Sequence, residues 1–182
     1  MMNYTAWCDR RKVKGEAVVH LHDDADAEIA TFPQVISAEA AEANVATVGS
    51  DTWRLTHDGN TITAALPDGT AYQAVATGKT FSRAKRINVD LGGKTVTAVN
   101  EGGADWVYVD SADVKLGQFS GGNNGVRRSI TEFEPEAGLN HSERVFLSWV
   151  TRTALEAKLG SSTLILTVSL LLIIPIVVFA LL

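Results

Sequence analysis

From Thr52 onward the chain is written in short runs of alternating apolar and polar residues. Trp53-Arg54-Leu55-Thr56 is followed by Asp58-Gly59-Asn60, and Thr61-Ile62-Thr63-Ala64-Ala65-Leu66 by Pro67-Asp68-Gly69. Ala71-Tyr72-Gln73-Ala74-Val75 comes next. Alternation sends successive side chains to opposite faces of a strand, and Asp-Gly supplies the tight turn of a hairpin. The rhythm continues through Arg86-Ile87-Asn88-Val89-Asp90-Leu91, Gly92-Gly93, Lys94-Thr95-Val96-Thr97-Ala98-Val99 and Glu101-Gly102-Gly103. Asp105-Trp106-Val107-Tyr108-Val109, Val114 to Phe119 and Arg128 to Phe133 complete it. Strands this short and closely spaced predict a mainly β fold, an antiparallel meander that closes as a barrel or packs as a sandwich. Upstream, Ala17 to Leu21 reads as a short strand before an acidic turn. Ser37 to Ala43 reads as a helical turn with Ser37 at its N-cap.

After Pro135 the period becomes helical. Val145, Phe146, Trp149, Val150, Thr153, Ala154 and Leu155 fall on one broad face, while Arg144, Ser148, Arg152, Glu156 and Lys158 fall mostly elsewhere. Asn140 or Ser142 can cap the start, and Gly160-Ser161 ends the pattern. Such an amphipathic helix packs on the sheet or lies among lipid headgroups; its few basic residues favour the sheet.

Ser162 to Leu182 holds no charged residue, and fifteen of its positions are Leu, Ile, Val or Phe. As a helix it would be about 31 Å long, matching a hydrocarbon core of ~30 Å. Its apolar side chains favour insertion by about 5 to 9 kcal/mol before the offsets from Ser162, Thr163, Thr167, Ser169 and Pro175. The expectation is a C-terminal transmembrane helix acting as a tail anchor, with the lipid bilayer as a partner through residues 162–182. The competing expectation is a helix that fills a barrel. The chain then divides into a β-rich soluble domain (1–139), an amphipathic helix (140–160) and the anchor (161–182).

Charge and composition refine this picture. Sixteen basic and 21 acidic residues leave a net charge of -5, which argues against nucleic acid as a partner because phosphates need a basic field. The single cysteine, Cys8, cannot make an intrachain disulfide and fits a reducing compartment. Arg10, Arg11, Lys12 and Lys14 are followed by no apolar run of signal length, so no export signal is expected. Arg144, Arg152 and Lys158 precede the apolar tail and no charged side chain follows it. The expected topology is therefore single-pass, with the soluble domain cytoplasmic.

The run Lys85-Arg86-Ile87-Asn88-Val89, then Gly-Gly, then Asp105-Trp106-Val107-Tyr108-Val109-Asp110, then Lys115-Leu116-Gly117-Gln118-Phe119, ahead of a hydrophobic C-terminal helix, resembles the tubby-like family. That family includes the LURP-one-related and scramblase-like proteins. The resemblance covers about residues 50 to 160. It implies a closed β-barrel wrapped around one apolar helix near the C-terminus. Two C-terminal helices here, against one in the family, and the lack of a phosphoinositide-binding motif are departures, and no functional residue is carried over. If the barrel forms, either C-terminal segment is a candidate for the enclosed helix. The amphipathic one carries more charge than an enclosed helix should, and the apolar one is long for the barrel.

Three groups of residues have candidate chemistry. Gly121, Gly122, Asn123, Asn124, Arg127 and Arg128 lie in a Gly-rich stretch whose amides and guanidinium groups suit an anion or lipid headgroup. The plain alternative is a loop in which Gly and Asn supply positive φ. Lys79, Arg83, Lys85 and Arg86 form a local basic patch, suited to anionic headgroups or, more simply, to protecting a strand edge. His20-x-His22-Asp23-Asp24-x-Asp26 puts two imidazoles on one strand face beside carboxylates. His20, His22 and Asp24 are its metal candidates, against the plain reading of a solvated turn. Cys8 lies near Arg10 and Arg11, and its plain reading is an ordinary terminal thiol.

No Gly-x-Ser-x-Gly elbow, P-loop or other catalytic set is present. The chain therefore reads as a membrane-tethered, non-enzymatic accessory or interaction module without a cofactor. Two roles fit: a small subunit beside a membrane-protein partner, or a sensor of anionic headgroups. The alternatives are a lipid-active enzyme or lipid-transfer protein using the Gly-rich loop and its arginines, and a metal-dependent enzyme built on His20 and His22.

Overall fold

The computed structural model describes residues 3–8, 11–13, 16–34, 36, 44–78, 80–121 and 129–160. Their strands are β1 (Tyr4–Trp7), β2 (Arg11–Val13), β3 (Glu16–Asp23), β4 (Glu28–Pro33), β5 (Val45–Val48), β6 (Asp51–Asp58) and β7 (Thr61–Ala65). They continue with β8 (Ala71–Ala76), β9 (Arg86–Leu91), β10 (Thr95–Gly102), β11 (Asp105–Val109), β12 (Lys115–Ser120) and β13 (Ile130–Phe133). A 3-10 turn, Phe81–Arg83, lies between β8 and β9. One helix, α1, covers residues 141–160.

From β3 to β13 each strand pairs antiparallel with the next. β1 closes the circle by pairing on one side with β13, Thr5 opposite Thr131, and on the other with β3, Ala6 opposite His22. β2 continues along the same edge of β3, Lys12 opposite Ala17, so β1 and β2 act as one interrupted strand. The result is a closed barrel of twelve strand positions, not a sandwich. Closure leaves no exposed sheet edge between β1 and β13.

The alternation seen in the sequence is the inside–outside alternation of the wall. Trp53 and Leu55, Ile62 and Ala64, Tyr72 and Ala74, Ile87 and Val89, Val96 and Ala98 all point inward and are buried. Gly117 is required by contact. A Cβ there would collide with the Glu132 carbonyl oxygen on the neighbouring strand, at a place where the β11–β12 register shifts.

The barrel is filled by α1. Trp149 stacks on Phe32 of β4, centroids 5.4 Å apart, and Phe146 lies 5.4 Å from Tyr72 of β8. Tyr108 of β11 donates to the Leu147 carbonyl at 3.1 Å and shares a 2.8 Å hydrogen bond with Thr151. Thr5 of β1 meets Ser148 at 2.8 Å. These partners come from strands far apart around the wall, so the amphipathic segment is the enclosed helix. Its charge is accommodated by local partners. Arg144 is buried, donates from Nε to the Leu139 carbonyl at 3.0 Å, and lies 5.1 Å over the Phe133 ring. Buried Glu143 accepts from the Asn140 amide at 2.7 Å and from Lys94 Nζ at 2.9 Å, while Asn140 Oδ1 accepts the Glu143 amide at 2.9 Å. Asn140 is therefore the N-cap of a reciprocal capping box. Burial pushes the Tyr108 phenol well above its ordinary range, so it stays a hydrogen-bond donor.

Among the described residues no helix is long and apolar enough to cross a membrane. The tail of 162–182 and the Ser37 to Ala43 stretch lie outside the described residues.

Candidate functional site at the lower rim

Because the wall is a meander, its turns alternate between two rims. α1 begins at the upper rim and ends at the lower one, where the chain passes into its apolar tail. Acidic residues crowd the upper rim. The β3–β4 turn carries Asp23, Asp24 and Asp26, the β7–β8 turn Asp68, the β11–β12 turn Asp110 and Asp113, and the β13–α1 connection Glu134 and Glu136. Two backbone amides of Asx turns lie at that rim on Asp110, from Ala112 at 2.8 Å and Val114 at 2.9 Å. The Thr70 amide on Asp68, at 2.8 Å, holds that carboxyl below its usual range.

The lower rim is different. The β8–β9 connection lays the Phe81–Arg83 turn against it, with Phe81 buried and Arg83 exposed. Lys85 precedes β9 and shares the parity of Ile87, which puts it on the inner side of the rim. Arg86 has the opposite parity and stands on the outer wall. α1 brings Lys158, whose Nζ donates to the Gly103 carbonyl of the β10–β11 turn at 2.5 Å. Between them lies a cavity of about 260 Å³. Arg83, Lys85, Lys158, Asn100 and Trp106 line it, and among the described residues no carboxylate does. Asn100 is fixed by donating to the Asp105 carbonyl at 2.9 Å. Among the described residues no ion pair engages Arg83, Lys85 or Arg86. Acids also stand at this rim, with Asp58 at the end of β6. Glu101 is exposed, Asp105 accepts from Ser120 at 3.2 Å and Gly121 at 3.3 Å, and Glu156 pairs with Arg152. This arrangement is a concave pocket with three cationic side chains in its lining.

The sequence-predicted residues distribute as follows. Arg83 and Lys85 reach the pocket and Arg86 stands beside it; Lys79 lies outside the described residues. Gly121 ends at the same rim, pressed so closely on Ala104 that a Cβ would strike the Ala104 methyl. Gly122, Asn123, Asn124, Arg127 and Arg128 lie outside the described residues. The sequence reading missed Lys158 as a pocket residue, since its partners are about 55 to 75 positions away along the chain. Only the placement of α1 inside the barrel brings it there.

The His20 cluster sits on the outer wall toward the upper rim. His20 Nδ1 meets Glu28 Oε2 at 2.7 Å, and His22 Nδ1 lies 3.0 Å from the Asp26 carbonyl. Asp24 accepts the Asn3 amide at 2.9 Å. The three predicted metal candidates thus have separate neighbours, and Cys8 joins His22 and Asp26 instead.

Compared with known proteins, the chain matches no family model, no curated protein and no solved structure.

Proposed function

We propose that this chain is a membrane-tethered, non-enzymatic β-barrel module whose lower rim rests on anionic lipid headgroups. The observation that carries this reading is the coincidence at one rim of the carboxylate-free cationic pocket and the end of α1, one residue before the apolar tail. Residues 162–182 span the bilayer in this reading, with the barrel on the cytoplasmic side. Anionic lipid attracts basic groups by about 1 kcal/mol each near the surface. Arg83, Lys85, Arg86 and Lys158 together supply about 4 kcal/mol before nearby acids subtract from it. The acidic upper rim is repelled by the same surface, which orients the barrel as well as holding it. The closed barrel around a C-terminal helix supports the tubby-like resemblance. A small-subunit role beside a membrane protein uses the same tether.

The pocket also suits the second reading, a protein that holds a single headgroup for transfer or chemistry. The position of Gly121 at this rim is what favours it.

The first test is fractionation of cells expressing the full chain or a chain ending at Gly160. The full chain should stay in alkaline-washed membranes and the shorter one should leave them. An intact full chain in the aqueous supernatant would overturn the tether. The second test measures binding of the shorter chain to phosphatidylserine and to neutral vesicles. Arg83→Glu with Lys85→Glu should abolish the preference for phosphatidylserine; unchanged binding by a folded variant refutes the headgroup contact.

A further inference from the structure

The outer wall near the upper rim carries a second grouping, remote from the pocket and independent of any membrane reading. β1 and β3 are the pair that closes the barrel, with Trp7 opposite Leu21 and Ala6 opposite His22. Trp7 and Leu21 point into the core and are completely buried. Strand parity then sends Cys8 and His22 to the outer face. The pairing runs on past β1, since the Cys8 amide donates to the His20 carbonyl at 2.9 Å.

The β3–β4 turn supplies the third group. Asp23 Oδ1 accepts the amides of Ala25 at 3.0 Å and Ala27 at 2.9 Å, which fixes the loop. Asp26 sits in it at φ 60°, a left-handed conformation that Asp tolerates better than most residues. This folds Asp26 back toward His22, with Oδ1 3.7 Å from Nδ1. β4 carries an extra residue, Ile29, at the register shift between Leu21 and His22, and such bulges re-aim side chains. As a result one ligand atom each from Cys8, His22 and Asp26 lies within 4.8 Å of the other two.

A second observation marks the same face. His20 stands opposite Cys8 and is 6% exposed. Its Nδ1 is held by Glu28, and its Nε2 is buried with no hydrogen-bond partner among the described residues.

We infer that Cys8, His22 and Asp26 form a zinc-class divalent cation site that ties β1 to the β3–β4 turn across the seam of the barrel. One sulfur, one nitrogen and one oxygen donor suit a borderline-soft ion, and three protein ligands leave a position for water. The surrounding Asp23, Asp24 and Glu28 add a favourable field. They are engaged elsewhere, Asp24 by the Asn3 amide and Glu28 by His20 and Thr31. The sequence pointed to His20, His22 and Asp24; the geometry replaces two of these.

The test uses the full chain in mild detergent, with Zn²⁺ as the probe. Purified protein loaded with Zn²⁺ and passed through gel filtration should retain one ion per chain by elemental analysis. Cys8→Ser and His22→Gln should each weaken retention by about 100-fold or more, since even outer-shell losses reach that range. Asp24→Asn and His141→Gln should leave it unchanged. Circular dichroism confirms that each variant is folded. Co²⁺ added to the unaltered chain gives a reading free of folding effects, because a thiolate ligand produces a near-ultraviolet charge-transfer band. Retention lost only in Asp24→Asn, retention equal in all variants, or a Co²⁺ complex without the thiolate band would each overturn the proposal. So would failure of the unaltered chain to retain Zn²⁺.

Discussion

Replacing Trp149 by Ala is the most direct probe of the enclosed helix. Trp149 is 3% exposed. It stacks on Phe32 at 5.4 Å with an interplanar angle of 16°, and its centroid lies 5.7 Å from that of Phe146. Phe32 is also in edge contact with Trp7 at 5.6 Å and Trp53 at 6.4 Å. Truncation therefore opens a cavity among rings that are fixed to the wall and collapse poorly. The expected cost is about 3–5 kcal/mol, a large share of the about 5–15 kcal/mol that holds a typical domain. For a chain of this length that lowers the thermal midpoint by about 6–20 °C. Thermal unfolding of the full chain in mild detergent, followed by circular dichroism, reads the shift. Val45→Ala is the control, because Val45 is 42% exposed on the outer wall and should cost within about 0.5 kcal/mol. Phe32→Ala combined with Trp149→Ala should show a coupling of about 0.5–1.5 kcal/mol from the lost stack. A Trp149→Ala shift no larger than that of Val45→Ala would refute the placement of α1 inside the barrel.

Other outcomes follow from the same contacts. The unfolded Tyr108 phenol ionises from about pH 10, whereas burial pushes the folded one higher. The stability this group supports is thus whole below pH 10 and is lost as pH rises, at up to about 1.4 kcal/mol per pH unit. Urea titrations between pH 9 and 11 should show a shallower decline for Tyr108→Phe than for the parent; equal slopes would count against a buried phenol. Tyr72 shifts the same way, so the comparison is between the two proteins and not with a fixed slope. Gly117→Ala drives a methyl group into the Glu132 backbone oxygen and should cost about 1–3 kcal/mol by denaturant midpoint, with no loss expected at the open Gly160. Glu143→Ala removes the acceptor of both the Asn140 amide and Lys94, and should cost about 1–3 kcal/mol. Faster hydrogen exchange at the Asn140 amide identifies the lost cap, and unchanged protection would argue against it.

The wall was legible in the sequence because each strand solves the same local problem. In Ile87-Asn88-Val89-Asp90-Leu91 every second residue faces the core, and the pattern states as much without knowing what lies inside. Closure as a barrel was one of two expected outcomes, but the seam that closes it was not legible. β1 has only Tyr4 to Trp7, and the pairings that make it the seam lie on strands about 16 and 126 residues away. The identity of the enclosed helix stayed open in the sequence for a physical reason. Charge along 143–158 argued against enclosure, yet Arg144 is satisfied by one carbonyl and one aromatic face, and Glu143 by one amide and one lysine. Periodicity reports which residues are polar. It does not report whether the wall has placed a partner for each.

The division of charge between the rims shows how topology turns an unremarkable composition into a directional surface. In an antiparallel meander successive turns fall on opposite rims, so residues a few positions apart can belong to opposite ends of the molecule. Asp68 and Thr70 lie in an upper turn, while Arg83 and Lys85 lie in the lower connection that follows. Read linearly, these charges nearly cancel. Folded, they separate along the barrel axis, and α1 adds Lys158 to the lower end, bonded to the Gly103 carbonyl. Helix direction reinforces the need for cations there. The C-terminal carbonyls of α1 carry partial negative charge at the lower rim, and Lys158 offsets it by bonding across to Gly103. Among the described residues, the cations that line the pocket thus lie at the end of the barrel where α1 stops. In the proposed function, the tail and these cations draw the same end of the barrel toward the membrane. Removing either alone should leave a residual preference, whereas removing both should leave none.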